Sequence, residues 1–300
     1  MTLDEIAAAK PKAGTQRVPD WALGCVRRRS ITFATGVEDR QTRVFWAQAH
    51  GMTGDIRVNP SRPAVPAGTK LSSLDHETLI RLASVEGGVA TTSWNEPVMS
   101  WADWIGFQPY DKYPEPGLMR RIGDCMIEFA PSGAYVEDWR FLPSAPGLLA
   151  GLRLEAEIDH AGKEHRRQGG LVIAGDHAIR ALARRDELPP GTRAQDFVRT
   201  SDDPVAALER VFDCTADYAV LNAGNWTVEV STDPRREQTS ISLLGPLLDS
   251  GRRVWRIDSL EAGRRFPSST QLAPSARSWL DREADTLLLP LEETEPRKVA

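Results

Sequence analysis

Cysteine is scarce in this chain. Cys25, Cys125 and Cys214 are the three thiols in 300 residues, and they stand far apart. A disulfide scaffold is excluded, and with no Cys-x-x-Cys pair so is the usual structural zinc site. An odd count reads as reduced thiols that serve as small buried hydrophobes. Positive charge is also short: 37 Lys+Arg against 42 Asp+Glu leave a net charge of -5. That balance excludes a general binder of nucleic acid or of anionic membranes, which needs a net basic surface. No apolar run approaches the roughly 20 residues that span a bilayer. The opening MTLDEIAAAKPKAGTQR starts with acids and has no apolar signal core, so secretion is not expected and a cytoplasmic protein is.

Several catalytic signatures are missing as well. There is no GxSxG elbow, no GxxxxGK phosphate loop and no HExxH zinc helix. Gly169-Gly170 precedes an expected strand rather than a helix, so it is not a dinucleotide loop. Ser30, Ser93 and Ser100 have no partner in the sequence that would activate them as nucleophiles. What remains is ordinary globular composition, 41% hydrophobic and 26% charged. Its length allows two domains or one large β domain.

The pattern along the chain is mostly strand. Residues 1–16 read as a flexible lead-in. Residues 25–33 and 42–48, rich in β-branched and aromatic types, flank a Gly/Asp turn, and 55–58 forms a short third strand before a Pro-rich loop. Residues 73–83 predict a helix with Ser73 as N-cap and Gly87-Gly88 beyond its end. Residues 89–94 return to strand, and Trp94, Trp101 and Trp104 crowd one stretch. The clearest hairpin joins 124–129 to 134–141 through Ala130-Pro131-Ser132-Gly133. Side chains alternate along a strand, so Tyr135, Glu137, Trp139 and Phe141 share one face.

The Pro/Gly segment 143–147 is the best internal boundary. Strands follow at 149–158, 170–175, 177–184, 219–222, 226–231 and 253–257, with helices at 203–212 and 273–284. The expected division is a flexible 1–16, a barrel over 17–145, a second barrel over 146–272, and a helix and tail over 273–300. The fold class is mainly β: antiparallel barrel domains with a few short helices.

Two groups of segments carry a family resemblance. One joins Gly117-Leu-Met-Arg-Arg-Ile-Gly-Asp-Cys-Met-Ile-Glu128 with Tyr135-Val-Glu-Asp-Trp-Arg140. The other joins 21–33, 42–48 and 55–58. Together they resemble the Hri family of fungal tandem lipocalin-like barrels, over about residues 20–260, and Trp21 followed by Gly24 is similar to the opening of lipocalin-type barrels. The resemblance implies two lipocalin-like β-barrels around apolar cavities. It carries no catalytic residues onto this chain.

A barrel of about eight strands is wide enough for one small ligand. With the Tyr/Glu/Trp face inward, Glu137 becomes a carboxylate beside two aromatics, suited to acid–base work, and Glu128 stands across the hairpin. Tyr135 can donate to a developing oxyanion. The competing structural reading pairs Glu137 with Arg120, Arg121 or Arg140. His177 reaches the cavity mouth if Asp176-His177 is a turn, and is a wall histidine otherwise. His160 and His165 flank an expected hairpin tip. Arg28 faces opposite to Arg27 and Arg29, as wall ion pairs would. Trp46, Gln48, Trp94, Trp139 and Arg57 are candidate ligand-binding residues, with Asp55 and Arg57 on one strand face as a pair or a carboxylate site.

The expected function is a cofactor-independent enzyme, a lyase, isomerase or hydrolase, acting by acid–base catalysis on a small, partly apolar molecule. The alternatives are a carrier of small hydrophobic ligands and a protein-interaction module. No cofactor or metal is expected, the partner is the small ligand, and a homodimer is left open.

Overall fold

The computed structural model describes residues 18–109, 115–245 and 251–266, with isolated positions beyond them. The expected lead-in over 1–16 and helix over 273–284 lie outside the described residues.

The first half folds into nine strands: β1 (Gly24–Phe33), β2 (Glu38–Asp39), β3 (Arg43–Gln48), β4 (Met52–Val58), β5 (Glu86–Asn95), β6 (Val98–Gly106), β7 (Gly117–Ile122), β8 (Cys125–Phe129) and β9 (Tyr135–Phe141). They hydrogen-bond in the order β2-β1-β3-β4-β5-β6-β7-β8-β9, and β9 returns to pair with β1. The closing ladder is antiparallel and runs from Val26 opposite Phe141 to Phe33 opposite Tyr135. An eight-stranded antiparallel barrel results, with β2 as a two-residue extension on β1.

Chain alternation sorts the wall. In β4, Thr53, Asp55 and Arg57 face the interior, whereas Gly54 faces out toward Ile179. The link between β8 and β9 turns with Gly133 at φ 75°, a left-handed value that glycine adopts without steric cost. Helix α1 (His76–Leu82) lies between β4 and β5, and its N-cap is Asp75, which accepts from the Thr78 amide. Ser73, the expected cap, instead ends a short 3-10 turn over Leu71–Ser73.

The second half forms a six-stranded antiparallel sheet in the order β14-β13-β12-β11-β10-β15. Its strands are β10 (Gly147–Ile158), β11 (Glu164–Ala174), β12 (His177–Leu182), β13 (Thr215–Asn222), β14 (Asn225–Ser231) and β15 (Arg252–Arg264), with α2 (Ala194–Arg199) and α3 (Pro204–Phe212) between β12 and β13. Asp203 caps α3 and Pro204 occupies its first turn.

The expected second barrel is not closed. Among the described residues β14 and β15 remain edges, with no ladder between them. Two helices stand where further strands would be needed, which leaves six strands rather than the roughly eight that enclose a small interior.

The six-stranded sheet is buried on both faces. Every residue of β12 is buried. Ile179 and Ala181 join a core shared with the barrel residues Val44, Met52 and Ile56. Ala178 and Leu182 join a second core with Leu152, Leu171, Trp226 and Trp255. Glycine allows the close contact with the barrel. A Cβ on Gly54 would lie 2.7 Å from Ile179, and one on Gly170 would lie 2.7 Å from Val89. Gly54→Ala or Gly170→Ala is therefore expected to lower the unfolding free energy by about 1–3 kcal/mol. The readout is a lower urea midpoint with an unchanged slope.

Candidate functional site

The barrel interior is hollow. Its cavity is lined from six of the strands: Trp46 on β3, Asp55 and Arg57 on β4, Glu86 on β5, Trp101 and Trp104 on β6, Glu128 on β8, and Tyr135, Glu137 and Trp139 on β9. About 80 Å³ is open to water centres, several times the roughly 10–15 Å³ that one water requires. The indole of Trp46 meets Trp101 and Trp139 edge to face, with ring centroids 5.8 and 5.2 Å apart.

The two carboxyls of the β8–β9 hairpin stand directly opposite each other in the ladder, Glu128 against Glu137. Both side chains are buried. Burial raises the Glu128 carboxyl well above the usual range, and the Glu137 charge raises it further. The Tyr135 hydroxyl donates to Glu128 Oε1 at 3.2 Å. Burial, and then the carboxyls of Glu128 and Glu137, push the Tyr135 phenol upward too, so it stays a hydrogen-bond donor.

Glu137 has a different support. Arg28 Nη1 donates to its Oε1 at 2.7 Å, and the same guanidinium reaches Asp39 Oδ2 at 3.0 Å. The pairing with Arg120, Arg121 or Arg140 weighed from the sequence does not form. Arg120 donates to the Met119 carbonyl, Arg121 to the Trp21 and Gly123 carbonyls, and Arg140 to Asp124 and Asp138. Arg28 is buried while Arg27 and Arg29 are exposed, as alternation along β1 requires.

On the facing wall, Arg57 Nε donates to Asp55 Oδ1 at 2.8 Å. Burial raises the Asp55 carboxyl even though Arg57 opposes the shift.

Glu128, Tyr135, Glu137, Trp46, Trp139 and Arg57 thus meet around one cavity, whereas three expected site residues stand elsewhere. His177 accepts from the Tyr218 hydroxyl at Nδ1 (2.9 Å) and donates from Nε2 to the Pro143 carbonyl (3.0 Å). A carbonyl only accepts, which fixes this tautomer for the neutral ring. His177 therefore ties the segment before β10 to the second sheet. Gln48 accepts from Trp46 Nε1 and donates to the Ala49 and Met52 carbonyls, so its amide is used up in the β3–β4 turn. Trp94 packs on Trp21 in a separate hollow with Pro97, Arg120 and Arg121.

Glu86, Trp101 and Trp104 are lining residues that escaped the sequence reading as ligand contacts. The crowding of Trp101 and Trp104 was visible, but β6 carries no alternation that shows which face turns inward. The three thiols are unpaired. Burial raises all of them, Cys125 and Cys214 to about 11, so they are poor nucleophiles.

No known family model matches the chain, and no curated protein matches it. Among solved structures, an uncharacterized protein of Saccharomyces cerevisiae is similar over 80% of this chain and 99% of its own, at 10% identity and a TM-score of 0.46.

Two outcomes test the electrostatics of this site. Arg28→Met strands the buried Glu137 carboxylate and is expected to cost about 3–5 kcal/mol of stability, read by urea unfolding. A carboxyl whose folded pKa lies above its unfolded value adds stability that is complete below the unfolded pKa and lost as pH rises through the folded one. Stability should therefore decline above the ordinary carboxylate range, and Glu128→Gln should flatten that decline in unfolding curves taken across pH.

Proposed function

We propose that the barrel houses a cofactor-independent acid–base enzyme acting on a small, partly apolar molecule. The observation that carries this reading is the cross-strand pair of Glu128 and Glu137 facing one cavity in unequal surroundings. Glu128 enters as a neutral carboxylic acid and supplies the proton. Glu137, held by Arg28, takes one up. Tyr135 keeps the Glu128 carboxyl oriented. Two carboxyls separated in this way divide the acid and base roles of one turnover, and the indoles around them keep bulk water from competing. Proton removal at one substrate atom and proton delivery at another suits a lyase, an isomerase or a hydrolase.

A carrier without chemistry is the second reading, favoured by the four indoles of Trp46, Trp101, Trp104 and Trp139 in the lining. Kinship with the Hri tandem barrels belongs to the same proposal, and a barrel followed by a second antiparallel sheet supports it.

Native mass spectrometry of freshly purified protein should reveal a co-purified small molecule. With a substrate so identified, Glu137→Gln is expected to lower kcat by about 10²–10⁴-fold while leaving the fold intact by circular dichroism. Turnover unchanged in that variant would remove Glu137 from the mechanism, and a captured molecule that is never converted would favour the carrier.

A further inference from the structure

Buried acids in this chain have cations beside them. Glu157 is buried, and Arg167, Arg185 and Arg253 reach its carboxylate at 3.2, 2.9 and 3.1 Å. Against the effect of burial, those cations hold its pKa below the usual range. Asp217 is treated the same way: burial is outweighed by Arg236 and Arg180, which lie 2.8 and 3.0 Å away.

The charges of the barrel lining are also taken up within the protein. Arg28 holds Glu137 at 2.7 Å and Arg57 holds Asp55 at 2.8 Å. Glu86 and Arg57 each have a further partner. Burial raises the Glu128 carboxyl, which favours its uncharged form. An ion of either sign would therefore leave water for an enclosure whose charges are already engaged, a costly transfer.

What the lining leaves unused is a hydrogen-bond donor. Trp139 lines the cavity and is 1% exposed, and its indole N–H meets no acceptor among the described residues. A buried donor of this kind is ordinarily satisfied. The adjacent buried indole, Trp46, spends its N–H on Gln48 Oε1 at 3.0 Å. An indole N–H only donates, so the partner that suits Trp139 is an acceptor. A second donor stands nearby. Glu128 is opposite Glu137, and Met126 is opposite Trp139, in the β8–β9 ladder. Glu128 and Trp139 are thus diagonal neighbours, about 7–8 Å apart at the backbone and within reach of each other's side chains. In its acid form Glu128 carries one O–H.

We propose that the cavity takes an uncharged carbonyl compound with a flat apolar body, its oxygen accepting from the Trp139 indole N–H. This rests on the acid–base reading of the same site and names its substrate class. A carbonyl oxygen is a neutral acceptor with two lone pairs, one for the indole and one for the Glu128 acid. The apolar body lies among Trp46, Trp101 and Trp104, which line the same space. Glu137 precedes Trp139 by two positions on one face of β9, which leaves it for the carbons next to the carbonyl, whose hydrogens the carbonyl acidifies.

The test uses the full chain and four probes of one shape: acetophenone, α-methylstyrene with a methylene in place of the oxygen, benzoate and benzamidinium. Calorimetry at neutral pH should show acetophenone binding about tenfold more tightly than α-methylstyrene, the factor that one buried hydrogen bond supplies, with both ions weaker than acetophenone. Trp139→Phe should bring acetophenone down to the affinity of α-methylstyrene. Should that variant fail to fold, the four-probe comparison on the unaltered protein decides alone. Equal or tighter binding of α-methylstyrene, preference for either ion, an acetophenone preference that survives Trp139→Phe, or no binding by any probe would overturn the proposal. Failure here is distinct from failure of the acid–base reading: the acetophenone preference can be absent while Glu137→Gln still abolishes turnover of the co-purified molecule, and the converse pair of results retains the carbonyl site while removing the catalysis.

Discussion

Closure of the barrel depends on β1 running antiparallel to β9, and that ladder carries a buried ion pair with it. Arg28 and Glu137 are 109 residues apart in sequence and 2.7 Å apart in space. The ladder is irregular between Arg28 and Ser30, where the register shifts. Such a bulge re-aims side chains locally, and here both Arg28 and Ile31 are buried on either side of it. The same pairing that removes the sheet edges therefore delivers the cation that Glu137 requires. Without Arg28, Glu137 would face Glu128 across the β8–β9 hairpin without the guanidinium that is hydrogen-bonded to it.

That arrangement gives the interior its asymmetry. Both acids are deeply buried, but one has a guanidinium and the other has a phenol and a carboxylate as neighbours. In a low-dielectric enclosure, partner identity matters more than depth. The six-stranded sheet shows the opposite use of burial, with Glu157 and Asp217 locked by several arginines each. Those clusters fix loops and strands, whereas the acids of the barrel surround open space.

Much of this was readable one strand at a time. The β8–β9 hairpin, its Pro/Gly link, and the shared face of Tyr135, Glu137 and Trp139 all follow from alternation, and Glu128 opposite Glu137 follows from the turn length. The pairing of Asp55 with Arg57 was open to inspection for the same reason. What could not be read was anything that depends on which strands meet. Arg28 as the partner of Glu137 requires the β1–β9 closure, which no local pattern encodes. His177 looked like a cavity residue because a turn beside two apolar strands has no address; its partners, Tyr218 and Pro143, come from β13 and the link before β10. The second barrel failed for a related reason. The apolar run of β12 reads as a core strand, but one of its faces is spent on the first barrel rather than on an enclosure of its own.

The wall of the barrel is held unevenly around its circumference. The β3–β4–β5 side is clamped, with Gly54 and Gly170 letting the six-stranded sheet seat against it. On another side, among the described residues, β6 and β7 share a ladder of two residue pairs, Val98 with Leu118 and Met99 with Gly117. Fewer rungs mean a lower free energy of local separation. Local separation of the wall is accordingly easiest along that seam.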